Sequence, residues 1–118
     1  MKLEREMMRG AAPTAVMQVL SGGEKYGYEL IEALSRQSNG LLDIGQSTLY
    51  PLLYNLEAKG LVTSRVDNTA ARQRRFYRLT QHGRRKLADD TKQWQRLWEA
   101  FHSLGLTVAP AGATGAAR

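Results

Sequence analysis

The sequence predicts a mainly α-helical fold with a minor β component: a winged helix-turn-helix with an N-terminal helix and a long C-terminal helix. Three observations lead to this prediction. Apolar residues recur at helical spacing in four segments of the 118-residue chain. Two strand-like runs separate the third of these segments from the fourth. The basic residues concentrate around those two runs, where a wing would lie.

The first three helices are predicted at residues 4–20, 27–38 and 47–59. In each, apolar side chains recur three or four residues apart, which places them on one side of a helix. Glycine follows each segment within two residues, where helices commonly end. The first segment contains Pro13, which either kinks the helix or begins a second segment.

The two strand-like runs lie at residues 61–67 and 74–79. Both are rich in β-branched or aromatic residues, and the stretch between them is polar and basic. We therefore expect a two-stranded hairpin with a charged tip, which is the wing of the predicted fold.

A fourth helix is expected from a cap at Thr80 to about residue 104. Five apolar residues form a stripe along this helix: Leu87, Trp94, Leu97, Phe101 and Leu104. Trp98 lies beside the stripe. A small winged-helix core cannot bury both this stripe and the first helix. We therefore expect the fourth helix to form a homodimer, in which two copies of the stripe cover each other. Residues 105–118 are mostly Ala, Gly, Pro and Thr, and we expect them to be disordered.

Positive charge is concentrated in residues 59–86. That segment holds nine basic residues and one acid, so it carries +8 in a chain whose net charge is +6. A solvated surface is the ordinary explanation of a charge run. Because this run coincides with the predicted hairpin, a polyanionic ligand such as nucleic acid is favoured.

Several classes of protein are disfavoured. The chain has no cysteine, which excludes disulfides and thiolate metal sites, and its two histidines lie far apart in the sequence. No Gly-rich phosphate loop, nucleophile elbow or plausible carboxylate pair is present. We expect no enzyme activity, no metal and no cofactor. Without a membrane-length apolar segment or a signal peptide, we expect a cytoplasmic protein with no membrane partner.

Three motifs, in this order along the chain, resemble PadR-type transcriptional regulators. They are YGYEL at 26–30, the recognition-helix signature STLYPLLYNLEAKGLV at 47–62, and the wing exit RRFYRLTQHG at 74–83. The resemblance covers about residues 5–104, and the single C-terminal helix is similar to the short subclass, which includes multidrug-responsive repressors. The wing departs from the family, with Ala71 and Gln73 where glycine and proline are common, so we expect a longer or less tightly turned tip.

The candidate DNA-contacting residues lie on the third helix and on the wing. A recognition helix needs polar side chains opposite its core leucines, and hydroxyls near its N-terminus suit phosphates. The candidates are Gln46, Ser47, Thr48, Tyr50, Pro51, Tyr54 and Asn55 on the helix, with Arg72, Arg74 and Arg75 on the wing. Asn55 suits a base edge, whereas Ser47 and Thr48 alternatively only cap the helix. Because neighbouring strand residues face opposite sides, Arg72 and Arg74 are preferred over Arg75.

These observations divide the chain into a DNA-binding domain at 1–80, a dimerisation helix at 81–104 and a tail at 105–118. The expected function is sequence-specific binding to an inverted-repeat operator in double-stranded DNA, as a repressor that a small aromatic or hydrophobic effector releases. The resemblance implies that Trp94 lines a pocket for a planar effector between two subunits. Trp98, four residues on, either lines that pocket or fills it. The alternative function is a winged-helix module that binds protein or RNA without an effector.

Overall fold

The computed structural model describes residues 3–69 and 71–106. Along them lie α1 (Arg5–Leu20), β1 (Lys25–Tyr26), α2 (Gly27–Gln37), α3 (Gln46–Ala58), β2 (Val62–Asp67), β3 (Arg74–Leu79) and α4 (Gln81–Ser103). This order confirms the predicted mainly α-helical winged helix-turn-helix. From residue 107 onward, the predicted tail lies outside the described residues.

Helix α1 continues through Pro13, so no separate segment begins there. Proline lacks the amide that would donate to the carbonyl one turn earlier, which weakens the helix at that point. The most deeply buried residues of α1, Val16, Met17 and Leu20, all follow the proline. Their packing in the core therefore stabilises the second half of the helix.

The ends of α2 and α3 follow the predicted signals, but the start of α3 does not. Asn39 and Gly40, which follow the C-cap Ser38 of α2, have φ angles of 57° and 83°, the left-handed conformation that ends a helix. The N-cap residue of α3 is Gly45, which offers no side chain. The interpretation of Ser47 and Thr48 as caps is therefore wrong, because both lie inside the first turn with their hydroxyls left for other contacts.

The sheet has three antiparallel strands in the order β1-β3-β2. The predicted hairpin is confirmed as β2 paired with β3, and β1 adds a third strand that the sequence did not indicate. Strand β1 pairs Lys25 with Tyr77 and Tyr26 with Phe76. A strand of two residues is too short to show the alternation by which strands are recognised in a sequence. It joins the start of α2 directly to the wing.

The hydrophobic core lies within the first of two compact units, Met1–Ala88 and Asp89–Arg118. Helices α1, α2 and α3 and the base of the wing contribute its fully buried side chains: Val16, Met17, Leu20, Leu30, Leu49, Leu53 and Val62. Thr80 begins α4 as predicted, because its hydroxyl accepts a hydrogen bond from the Gly83 amide at 2.9 Å. The same hydroxyl donates to the Gly60 carbonyl at 2.7 Å, which fixes the start of α4 against the end of α3.

Candidate nucleic-acid interface

Helix α3 is amphipathic, with one buried face and one polar exposed face. Leu49, Leu53 and Leu56 are buried in the core. The residues proposed from the sequence as DNA contacts on this helix are all exposed: Gln46, Ser47, Thr48, Tyr50, Pro51, Tyr54 and Asn55. Of the two tyrosines, Tyr54 is the more exposed, at 74%. The helix therefore presents a continuous polar surface to a ligand.

The Tyr50 ring lies close to the start of α2. A Cβ atom added at Gly27 would overlap the Tyr50 hydroxyl and would lie 2.9 Å from its Cζ atom. Glycine at this position leaves room for the phenol ring where it now lies, and a larger residue would require the ring to shift. Sequence reasoning treated Gly27 only as a helix start, and its presence in the YGYEL motif was the available signal.

A groove of about 390 Å³ lies where the first turns of α2 and α3 face the wing. Its walls combine aromatic and cationic side chains: Tyr26, Tyr28, Tyr50, Gln46, Arg72, Arg74 and Arg75. The structure thus brings all three candidate wing arginines together with two of the candidate residues of α3. At the wing tip, Gln73 donates to the Asn68 amide oxygen at 2.8 Å.

Four further candidate residues of α3 border a second, larger groove of about 750 Å³ against α1. Ser47, Thr48, Pro51 and Asn55 line it from α3, and Arg5 and Arg9 line it from α1. The two arginines are four residues apart and so lie on one side of α1. Sequence reasoning did not include them, although that spacing was visible.

The outer face of the wing carries a ladder of stacked side chains. The Arg65 guanidinium lies 4.8 Å from the centre of the Phe76 ring, and the Arg74 guanidinium lies 4.7 Å from that of Tyr26. The two rings meet edge to face at 5.4 Å. Tyr26 belongs to β1, so the ladder ties the added strand to the wing.

Arg65 is neutralised on this outer face. Its Nε and Nη2 atoms donate to the two carboxylate oxygens of Glu24, at 2.9 and 2.7 Å. A second acid, Asp67, lies 3.9 Å from Nη1. The hydrogen bonds from Arg65 hold the pKa of the Glu24 carboxyl below its usual range, so Glu24 is ionised at neutral pH. The positive charge of the wing is therefore smaller on this face than the composition suggests.

The opposite face of the wing is connected to α3. Arg75 donates from Nη1 to the Ser64 hydroxyl oxygen at 3.0 Å, and that hydroxyl donates to the Glu57 carboxylate at 2.8 Å. Tyr77 lies on the same face of β3 as Arg75, and burial raises the pKa of its phenol, which stays neutral. Arg74 and Arg75 lie on opposite faces of β3, although both border the groove described above.

Beyond the wing, α4 presents exposed apolar side chains. Trp94 and Trp98 are 43% and 49% exposed, and Leu97 and Phe101 are 42% and 36% exposed. Each of the four lies three or four residues from two of the others along α4, so they form one apolar surface. An exposed surface of this kind is typical of a protein or ligand interface.

The described residues give no support for a metal site or for a membrane-spanning helix. There, no three histidine, aspartate or glutamate side chains come together in a way that could hold a metal ion. Within residues 3–69 and 71–106, no helix combines the length and the apolar character that crossing a membrane requires.

Comparison with known proteins identifies relatives across this architecture. The family model described as the transcriptional regulator PadR-like family matches residues 16–89. The transcriptional regulator Rv3488 of Mycobacterium tuberculosis is 34% identical over 93 residues, which cover 79% of this chain and 84% of that protein.

Two solved structures have the same fold. The crystal structure of a PadR family transcriptional regulator from Eggerthella lenta has a TM-score of 0.77 and 34% identity, and covers 87% of this chain and 88% of that chain. A transcriptional regulator from Clostridium thermocellum has a TM-score of 0.78 at 24% identity, with 86% of this chain and 96% of that chain covered.

Proposed function

The chain belongs to the PadR-like family of transcriptional regulators, and from this premise we propose that it binds operator DNA specifically, as a homodimer whose DNA affinity a small molecule controls. The observation that carries the proposal is the meeting of the exposed polar face of α3 with the wing arginines at one groove. Residues 1–80 are the DNA-binding domain in this proposal, and residues 81–104 are the dimerisation helix.

Helix α3 enters the major groove, as the second helix of a helix-turn-helix does. Ser47 and Thr48 lie in its first turn, where hydroxyls and the helix dipole both favour a phosphate. Asn55 lies two turns further along the exposed face, and its amide suits an adenine edge. The arginines of the wing contact backbone phosphates beside the groove that α3 reads.

The homodimer forms through the exposed apolar surface of α4. A two-fold pair of α4 helices covers both copies of that surface at once. Two recognition helices related by the same two-fold axis read two half-sites of opposite orientation. The operator in this proposal is therefore an inverted repeat, with half-sites separated by about one turn of DNA.

The regulator acts as a repressor that a planar, hydrophobic effector releases. The support is the pair of exposed indoles, Trp94 and Trp98, one turn apart on the helix that makes the dimer. A flat aromatic molecule that stacks between symmetry-related indoles loses its hydration shell. It lowers DNA affinity only if it binds one arrangement of the dimer better than the other, and operator DNA then weakens effector binding by the same factor.

The test is selection of binding sites from random duplexes, followed by titrations at several salt concentrations. We expect an inverted repeat to be selected, with an affinity that falls steeply with salt because phosphate contacts release counterions. Arg72→Ala should reduce the slope of log affinity against log salt by about one unit. Asn55→Ala should weaken operator binding by about 1–3 kcal/mol and random-duplex binding much less.

Arg36→Ala is the matched control, because Arg36 is exposed in the last turn of α2 and borders neither groove. It should leave the salt slope unchanged. No enrichment of any duplex, or equal competition by structured RNA, would refute operator binding and favour the alternative of a protein- or RNA-binding module.

A further inference from the structure

We propose that Arg75, rather than Arg74, is the main phosphate-binding side chain of β3, and that Glu57 and Ser64 position it from α3 and β2. The inference rests on the proposed DNA binding and specifies which arginine carries it. It reverses the preference for Arg74 that strand alternation suggested, because the two faces of β3 differ in what they offer a cation.

The hydrogen bonds that begin at α3 orient the Arg75 guanidinium and occupy only one of its N–H donors. Glu57 accepts the only proton of the Ser64 hydroxyl, so the lone pairs of that hydroxyl are turned toward Arg75. Arg75 donates one hydrogen bond to it from Nη1. A guanidinium has five N–H donors, so most of its donors stay available for a phosphate in the adjacent groove.

On the other face, Arg65 and Arg74 are already engaged. Arg65 is held by two carboxylate oxygens of Glu24 and stacked on Phe76. Arg74 stacks on Tyr26, and its neighbour across the strand pair is the acid Asp67. To bind a phosphate, Arg74 must leave an aromatic face and an adjacent carboxylate, which Arg75 need not do.

Glu57 belongs to the recognition helix, so the same contacts couple the position of the wing to that of α3. A carboxylate near a bound phosphate would normally weaken binding by repulsion. Here it acts through the Ser64 hydroxyl, which fixes the guanidinium without forming an ion pair with it. Glu57 and Ser64 are therefore positioning residues, whereas Arg75 makes the contact.

The experiment measures affinity for the selected operator and its salt slope for Arg75→Ala, Arg74→Ala, Ser64→Ala and the double variant Ser64→Ala/Arg75→Ala. We expect Arg75→Ala to lower the slope by about one unit and Arg74→Ala to change it little. Ser64→Ala should weaken binding about fivefold, because a hydrogen bond that orients the guanidinium is lost. It should have no further effect once Arg75 is absent, since the two residues act as one unit.

Conservative variants separate positioning from folding. Ser64→Thr keeps the hydroxyl, and Glu57→Gln keeps an oxygen that accepts from it, so both should bind nearly as wild type does. Thr63→Ala is the control, because Thr63 is the neighbouring strand residue and faces the opposite side. Thermal unfolding of each variant shows whether the fold is intact.

Additive effects of Ser64→Ala and Arg75→Ala, or a loss of salt slope in Arg74→Ala but not in Arg75→Ala, would overturn the inference while leaving DNA binding intact. If the wild-type protein binds no duplex, the proposed function fails and this inference fails with it.

Discussion

Replacing Gly27 with alanine separates recognition from folding, because the new methyl group meets a movable side chain. The added Cβ would lie 2.9 Å from Cζ and 3.2 Å from Cε1 of Tyr50, and would overlap the hydroxyl. Ordinary contact begins at 3.4 Å, so the ring must move by at least 0.5 Å at Cζ. The hydroxyl, at the end of the ring, must move further.

The expected change in stability is small. Turning a half-exposed tyrosine off its preferred rotamer costs about 0.5–1.5 kcal/mol. Alanine offsets this cost, because it is more favourable than glycine in a helix by about 0.5–1 kcal/mol. The free energy of unfolding should therefore stay within about 1 kcal/mol of the wild-type value. Operator affinity should fall about fivefold, because the displaced Tyr50 hydroxyl can no longer make the hydrogen bond to DNA that we propose for it.

The assay pairs urea unfolding with fluorescence anisotropy of a labelled operator. Gly10→Ala is the control: Gly10 lies exposed in α1 with no atom within 4 Å of an added Cβ, so the change should stabilise the fold and leave affinity unaltered. If Gly27→Ala weakens binding just as much in a Tyr50→Ala background, or unfolds the protein, then Tyr50 is not the residue through which Gly27 acts.

Three other substitutions test other parts of the molecule. Gly83→Ala should lower the melting temperature by about 10 °C or more in calorimetry, because its Cβ meets the backbone carbonyl of Leu61, which cannot move aside; an unchanged melting temperature would contradict that packing. Phe101→Asp should convert the proposed dimer into a monomer in light scattering, and a persistent dimer would exclude α4 as the interface. Glu24 has a pKa lowered by Arg65, so it stabilises the fold above its ordinary pKa near 4.5, and this contribution is lost as the pH falls further. Glu24→Gln should therefore flatten the fall in the urea midpoint between pH 6 and pH 3, and an unaltered profile would show that the ion pair does not contribute.

The sequence predicted elements whose signals are local. Helix ends agreed with the structure within two residues where glycine or Asn39 follows the last turn, since those residues adopt the left-handed conformation at little cost. Strand β1 was missed because two residues carry no periodicity. The predicted start of α3 at Ser47 is one residue late, because the N-cap is Gly45, whose lack of a side chain gives no capping signal in the sequence.

The candidate site was harder to predict because its contacts join distant parts of the chain. Glu24 and Arg65 are 41 residues apart, so the neutralisation of Arg65 is visible only in the folded protein. The approach of Tyr50 to Gly27 is likewise a property of helix packing. Composition counted every basic residue of the wing equally, and the structure assigns them different partners.

The different partners of these basic residues determine which of them are available to bind a polyanion. Arg65 and Arg75 each add one positive charge to the total, but removing one or the other affects different faces of the wing. Without Arg65, two carboxylates on the outer face lose their cation and the stack on Phe76 loses its outermost member. Without Arg75, a guanidinium disappears from the wall of the groove beside α3, while the Glu57–Ser64 hydrogen bond can remain. Under the proposal above, Arg65 therefore maintains the shape of the outer face of the wing, whereas Arg75 is the cation that remains available to a phosphate in the groove beside α3.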